Sequence, residues 1–281
     1  MLGAIIGDMV GSIYEFHPIK SKEFDIHNPR MHMTDDSLLT IAVAKVLTRH
    51  HPFRVEDIPA IQKDLVDEFV AMWKKHKDAG WGGRFYMWAN MANHGIAEPY
   101  KSFGNGSAMR ISPVAWAARD EEELKVLSRV ATEITHNAYQ GLKGAEAVAM
   151  ATFMALHGAT KEEIRERMIR DYYPEIADFD FDDLVKNYQF SEICQTSVPQ
   201  AIYCFLISTS LEDAIRNCVA IGGDCDTTGA MAGAIAEAYY QREEMCDLEK
   251  RYFARLDTDT KKVIREFHRT IGSGKRIPED D

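Results

Sequence analysis

The sequence predicts an all-α protein, one compact domain of roughly a dozen orthogonally packed helices. Three observations carry that expectation. Apolar residues recur at steps of three and four, as in Ile58, Ile61, Leu65, Phe69, Met72 and Trp73, which is the spacing that gathers side chains on one helix face. No stretch alternates apolar and polar residues over the length of a strand, beyond the odd apolar tetrad. The run IGGDCDTTGAMAGAIAEAYY at 221–240 is too rich in small residues to be anything but a closely packed helix, because Gly and Ala let neighbouring backbones approach.

Taken in order, residues 2–16 place Gly3, Gly7 and Gly11 among apolar side chains and read as a first helix in the core, with Glu15 at its solvated end. Residues 20–33 mix charge with Asn28-Pro29 and read as a loop. Thr34 and Asp35 then head a helix that is apolar on most of its circumference, through Leu38, Leu39, Ile41, Ala42, Val43, Val46 and Leu47. An amphipathic surface helix follows over 57–77. Two glycine-bearing stretches, 80–83 and 103–110, come next, and the second opens a helix at 111–118 with Pro113 in its first turn. Helices are expected at 121–135 and 137–157, with His136 at their junction, and at 161–170 on the surface. An acidic, aromatic segment at 171–187 reads as a loop with a short helix. Further helices are expected at 196–208, 211–221, 243–255 and 258–271.

The 281 residues contain nine scattered prolines, no Gly/Ser tract and no internal repeat, so the domain spans 1–281, with 272–281 as an unstructured polar tail. A net charge of −11 excludes a nucleic-acid surface, which would need a basic patch; Lys74, Lys75 and Lys77 form a solvated helix face instead. Five cysteines without a CxxC pair suit reduced thiols in the cytoplasm. Cys225 is read as packing. The N-terminus has no basic region and is interrupted by Asp8, and no run is long enough to cross a bilayer. The expectation is a soluble cytoplasmic monomer.

Charge sits in unusual places. Asp224 and Asp226 lie between a Gly-Gly turn and the small-residue helix, and Asp226 and Thr227 stand where an N-cap belongs. An ordinary cap needs one such residue, whereas this helix start offers two carboxylates and two hydroxyls. Thr34-Asp35-Asp36 repeats the pattern. Buried carboxylates need a partner, and a shared divalent cation is the reading preferred over two unrelated caps. The Gly104-Asn105-Gly106-Ser107 loop before a helix has the form of an anion cradle, although such loops are often only turns.

Together GAIIGDMVGSIYE, HMTDDS, FGNGSAMR and GGDCDTTGAMAGAIAEAYY, in this order over most of the chain, resemble the ADP-ribosylglycohydrolases. The resemblance is weakest over residues 171–191 and around Trp81. It implies an all-α fold with two Mg2+ or Mn2+ ions, ligated by Thr34, Asp35 and Asp36 and by Asp224, Asp226 and Thr227. It implies that Phe103, Gly104, Asn105, Gly106 and Ser107 cradle ADP-ribose with His136 nearby, and that Glu15 lies at the scissile bond, so that the solvated reading of Glu15 gives way. Glu15 is expected to manage the proton, with Asp36 and Asp226 stabilising oxocarbenium character. The implied reaction is removal of ADP-ribose from protein side chains, arginine ahead of serine. The rival reading is a silent family member that binds ADP-ribose or blocks an ADP-ribosyltransferase. Prenyl-diphosphate chemistry is disfavoured, because Ser37, Leu38 and Leu39 follow Asp36 where a DDxxD run would place a third acid.

Overall fold

Two helices made largely of small residues cross at the centre. In the computed structural model, which describes residues 1–240 and 244–279, α1 (Leu2–Gly11) is buried along its whole length. It lies against α12 (Cys225–Tyr239), buried from Cys225 to Ala238. The contact is backbone on backbone. A Cβ at Gly7 would stand 1.9 Å from the Gly229 carbonyl oxygen, one at Gly3 2.3 Å from that of Gly233, and one at Gly11 2.3 Å from the Asp226 Cα. Such distances leave no room for a side chain, so glycine is required at the crossing.

The remaining helices wrap this pair. They are α2 (Asp35–Arg49), α3 (Ile58–Lys75), α4 (Gly83–Ala92), α5 (Ser112–Ala117), α6 (Glu121–Glu133), α7 (Tyr139–Leu156), α8 (Lys161–Asp171), α9 (Phe181–Asn187), α10 (Val198–Leu206), α11 (Leu211–Ile221), α13 (Asp247–Arg255) and α14 (Thr258–Thr270). No strand occurs among the described residues, and Gly104 pairs with Ile193 only as an isolated bridge. Helices α7, α10 and α11 pack on α12, and α2 packs on α1; α3, α6 and α14 form the next layer. Among the described residues no helix is long and apolar enough to cross a membrane.

Three departures from expectation have physical causes. The first helix stops at Gly11, because the amides of Tyr14 and Glu15 both fold back onto the Gly11 carbonyl, at 2.8 and 3.2 Å, and form a turn. Helix α4 was hidden behind its glycines. Its apolar side, Phe85, Trp88 and Ala89, is buried, and Phe85 and Trp88 pack around Phe69 with ring centroids 6.2 and 6.4 Å away. The C-terminal segment has no helix, yet it is fastened: Lys275 donates 2.6 Å to Glu237 of α12 and also reaches Glu249 of α13. Burial opposes ionisation of Glu237, but Lys275 overrides it and holds the carboxyl well below its usual range. Of the helix expected at 243–255, Glu243 lies outside the described residues and the observed helix begins at Asp247. Asp280 and Asp281 likewise lie outside them.

Candidate active site

The crossing of α1 and α12 brings three chain segments to one place. The turn after α1 carries Glu15, the start of α2 carries Thr34, Asp35 and Asp36, and the start of α12 carries Asp224, Asp226 and Thr227. Gly222 and Gly223 precede the last set with φ of 71° and 75°. Two successive left-handed residues are strained for any other side chain, and this turn is what aims Asp224 and Asp226 the same way.

Their carboxylates converge. Asp8, Asp36 and Asp226 each bring an oxygen within 4.8 Å of the other two, and Glu15, Asp224 and Asp226 do the same, so Asp226 belongs to both groups. Burial pushes the carboxyls of Asp8, Asp35, Asp36, Asp224 and Asp226 upward. Glu15 is pushed up to about 7, first by burial and then by the charge of Asp224, while a hydrogen bond to Asp226 draws it back. Glu15 is therefore not a solvated helix end.

The donor set fits a hard divalent cation. Asp36 Oδ1 is buried without a hydrogen-bond partner, an orphan that a cation would satisfy. The donors here are carboxylates with hydroxyls alongside, and nitrogen or sulfur is lacking, which suits Mg2+ or Mn2+ better than zinc. Cys225 lies between the two acids in sequence, but its thiol points to the Gly11 carbonyl at 3.5 Å and is packing, as expected.

Glu15, Asp35, Asp36, Asp224 and Asp226 form one wall of a cavity of about 340 Å3, within the range of small-ligand sites, and Asp8 stays behind that wall. Gly104, Asn105 and Gly106 form another wall. Asn105 donates to Asp224 Oδ2 at 2.6 Å, which ties the loop to the acids. Phe103 stands 44% exposed at the rim. Ser107 lies beneath the loop and donates to the Gly141 carbonyl at 2.8 Å; it braces the cradle without lining it. Thr34 also stays behind the wall, its hydroxyl donated to Asp8 at 2.6 Å.

His136 lines the cavity, and burial holds its pKa well below the ordinary value, so it is neutral. The Thr135 hydroxyl accepts from Arg110 Nη2 at 2.7 Å, which commits its own proton outward. The hydroxyl donates to the Thr132 carbonyl at 3.4 Å and lies 2.7 Å from His136 Nδ1, and the other ring nitrogen, Nε2, faces Gly104 and Gly106.

Three residues of the site escaped the sequence analysis. Asp8 had served only to argue against a leader peptide, yet a lone acid in a decapeptide of otherwise apolar and small residues is itself a signal. Glu192 is exposed at the cavity and makes no ion pair among the described residues. Arg110 is completely buried with its guanidinium 4.7 Å from the Phe69 ring centroid, and burial lowers its pKa to about 10.

Fold and site together define an all-α protein with an acidic, ligand-sized cavity at the start of its central helix. The chain belongs to the ADP-ribosylglycohydrolase family, whose model matches residues 1–274. It is 26% identical to mouse ADP-ribosylhydrolase ARH3 (Mus musculus), over 87% of this chain and 84% of that protein. The ADP-ribosyl-[dinitrogen reductase] glycohydrolase of Rhodospirillum rubrum is also 26% identical, over 96% of this chain and 92% of that protein. A solved structure described as an ADP-ribosylglycohydrolase-related protein complex shares the fold, with a TM-score of 0.73 at 23% identity over 96% of this chain and 97% of that one.

Proposed function

We propose that this protein is a hydrolase that removes ADP-ribose from modified protein side chains, using two Mg2+ or Mn2+ ions held by Thr34, Asp35 and Asp36 and by Asp224, Asp226 and Thr227. The observation that carries the reading is the pair of carboxylate groups sharing Asp226 at the wall of a ligand-sized cavity, with Glu15 among them. When bound, the ions offset the aspartate charges and hold the hydroxyls of the terminal ribose, which lets an anionic ligand enter an acidic site.

The chain's own residues do the rest. Asn105 fixes Asp224, and neutral His136 presents Nε2 beside the glycine loop, where it meets a polar group of the ligand. Cleavage breaks the bond from the anomeric carbon to the side-chain nitrogen or oxygen, and the electron pair leaves with that atom. A departing serine alkoxide is neutralised by a proton from Glu15; a cationic arginine linkage departs as a neutral guanidine, and Glu15 passes it the proton taken from the attacking water. Asp36 and Asp226 face the positive character that develops on the sugar. Water then adds to the anomeric carbon, and its proton returns to Glu15.

An arginine linkage is favoured over a serine linkage. Glu192 lies close enough to push the Glu15 carboxyl up, and it has no cation of its own among the described residues. A cationic guanidinium linkage complements that charge, and a neutral serine O-glycoside gains nothing from it. The buried thiols Cys194, Cys204, Cys218 and Cys225 remain free, which suits the reducing cytoplasm where we place the protein as a monomer.

Matched arginine- and serine-modified peptides, assayed for released ADP-ribose with and without EDTA, test the reading. Faster arginine release, abolished by EDTA, is expected. Full turnover after exhaustive chelation would remove the metals from the mechanism, and a serine rate tenfold above the arginine rate would reverse the linkage. Binding of ADP-ribose without release from either peptide would leave a silent binder, such as one that blocks an ADP-ribosyltransferase.

A further inference from the structure

We propose that Asp8 is a positioning residue for the metal site: by capping α2 from a neighbouring helix it frees the Thr34 hydroxyl to offer its lone pairs to a cation. The inference rests on the reading of Thr34, Asp35 and Asp36 as ligands. It begins with a helix start that does not behave as its sequence suggests. Thr34 occupies the N-cap of α2 with extended backbone, φ −108° and ψ −165°, yet its side chain makes no capping bond. An N-cap threonine ordinarily uses its oxygen to accept from the amide three residues on, which here is that of Ser37. That amide instead donates to Asp8 Oδ2 at 3.1 Å.

Asp8 takes more than one donor from this segment. Its Oδ2 also accepts from the Thr34 amide at 2.9 Å and from the Ser37 hydroxyl, and its Oδ1 accepts from the Thr34 hydroxyl at 2.6 Å. The Thr34 hydroxyl has one proton, and its other acceptor, Asp36 Oδ2, is farther away at 3.2 Å. The proton is thus committed to Asp8, and no amide claims the lone pairs. In that state both lone pairs of the hydroxyl oxygen remain open to a cation. Asp8 shares its surroundings with Asp36 and Asp226, which raises the alternative that it is itself a ligand. The donors decide against that: Asp8 is wholly buried with both oxygens engaged, whereas Asp36 Oδ1 has none. Outer residues that orient ligands in this way change metal affinity without changing the number of ions bound.

The test is Mn2+ binding by isothermal titration calorimetry to the wild-type protein, Asp8→Asn and Thr34→Val, with melting curves taken alongside. In Asp8→Asn one oxygen becomes an N–H donor, which either claims the Thr34 lone pair or abandons the α2 amides. Mn2+ affinity is expected to fall about 10- to 100-fold at unchanged stoichiometry. Thr34→Val should lose as much, and the double variant little more. Loss of one Mn2+ per chain in Asp8→Asn would make Asp8 a ligand and overturn the proposal. So would a lowered melting temperature with Mn2+ affinity within twofold of wild type, which is the outcome of a purely structural role. If Thr34→Val binds Mn2+ normally while Asp36→Asn does not, the ligand assignment of Thr34 has failed, and the proposal fails with it. Should Asp8→Asn not fold, neutron diffraction from the Mg2+-soaked wild-type protein reads the same point. A deuteron on the line from Thr34 Oγ1 to Asp8 Oδ1 is expected there, and its absence overturns the proposal.

Discussion

At the scale of single residues, the proposed mechanism separates groups that hold from groups that react. Asp226 is common to both carboxylate groups, so Asp226→Asn should abolish ADP-ribose release and leave the far-ultraviolet circular dichroism of the wild type; a variant that keeps turnover would show that the two groups do not act as one site. Glu15 is different, because it faces the acids from a turn and not from a helix start. For Glu15→Gln, turnover is expected to fall by about two to four powers of ten while ADP-ribose still binds in calorimetry, the scale of lost acid–base help. Binding lost together with turnover would make it a metal-holding residue. Glu192 bears on specificity. Its neutral variant Glu192→Gln should lower kcat/KM for arginine-modified peptide about tenfold, or about 1.4 kcal/mol, and leave the serine-modified peptide within twofold; equal losses on both would detach Glu192 from the leaving group.

At the scale of elements, α1 and α12 act as one unit because their backbones touch. A methyl group at Gly7 would collide with the Gly229 carbonyl, and neither backbone can move without carrying Asp8 or Asp226 with it. Gly7→Ala should therefore cost at least about 1–3 kcal/mol of stability, the range for overpacking, and should weaken Mn2+ binding as well. Gly82 is the control. Nothing lies within 4 Å of its would-be Cβ, and its φ of −56° suits any residue, so Gly82→Ala should leave the melting temperature unchanged or slightly raised. Similar losses at both positions would mean that the crossing is not the source of rigidity. The glycine spacing of both helices was legible in the sequence, since small residues at every fourth position have few other uses. What it could not give was the partner, because a glycine stripe does not say which other stripe it meets.

At the scale of the whole molecule, stability is tied to pH by histidines that the fold keeps neutral. Burial lowers the pKa of His268 from 6.5 to about 3, with the N-terminal ammonium and then Lys275 adding to the effect and Glu237 opposing it. Between those two values the unfolded chain binds a proton that the folded protein refuses, so this group's contribution to stability is complete above pH 6.5 and is lost as pH falls toward 3. His136 acts in the same direction. In His268→Gln the difference in melting temperature from wild type should be largest at pH 7 and shrink by pH 5. A difference that stays constant would show that His268 titrates alike in both states.

By itself the sequence determined the fold class, most helix positions, both acidic helix starts and the glycine loop, because each of these is written in residues close together along the chain. Helical periodicity, capping and turn chemistry act over a few residues, and the order of four motifs adds the family. Only the tertiary structure decided the rest. It drew Asp8 from an apolar helix to the start of α2, and fastened the C-terminal segment through Lys275 to Glu237. It also showed a helix at Gly83–Ala92, a stretch left unassigned behind its glycines, once Phe85 and Trp88 found Phe69. In each case the deciding partner lies far away in the chain. A carboxylate or an aromatic ring shows its chemistry in the sequence, but whether it is solvated, paired or buried depends on what the fold sets against it.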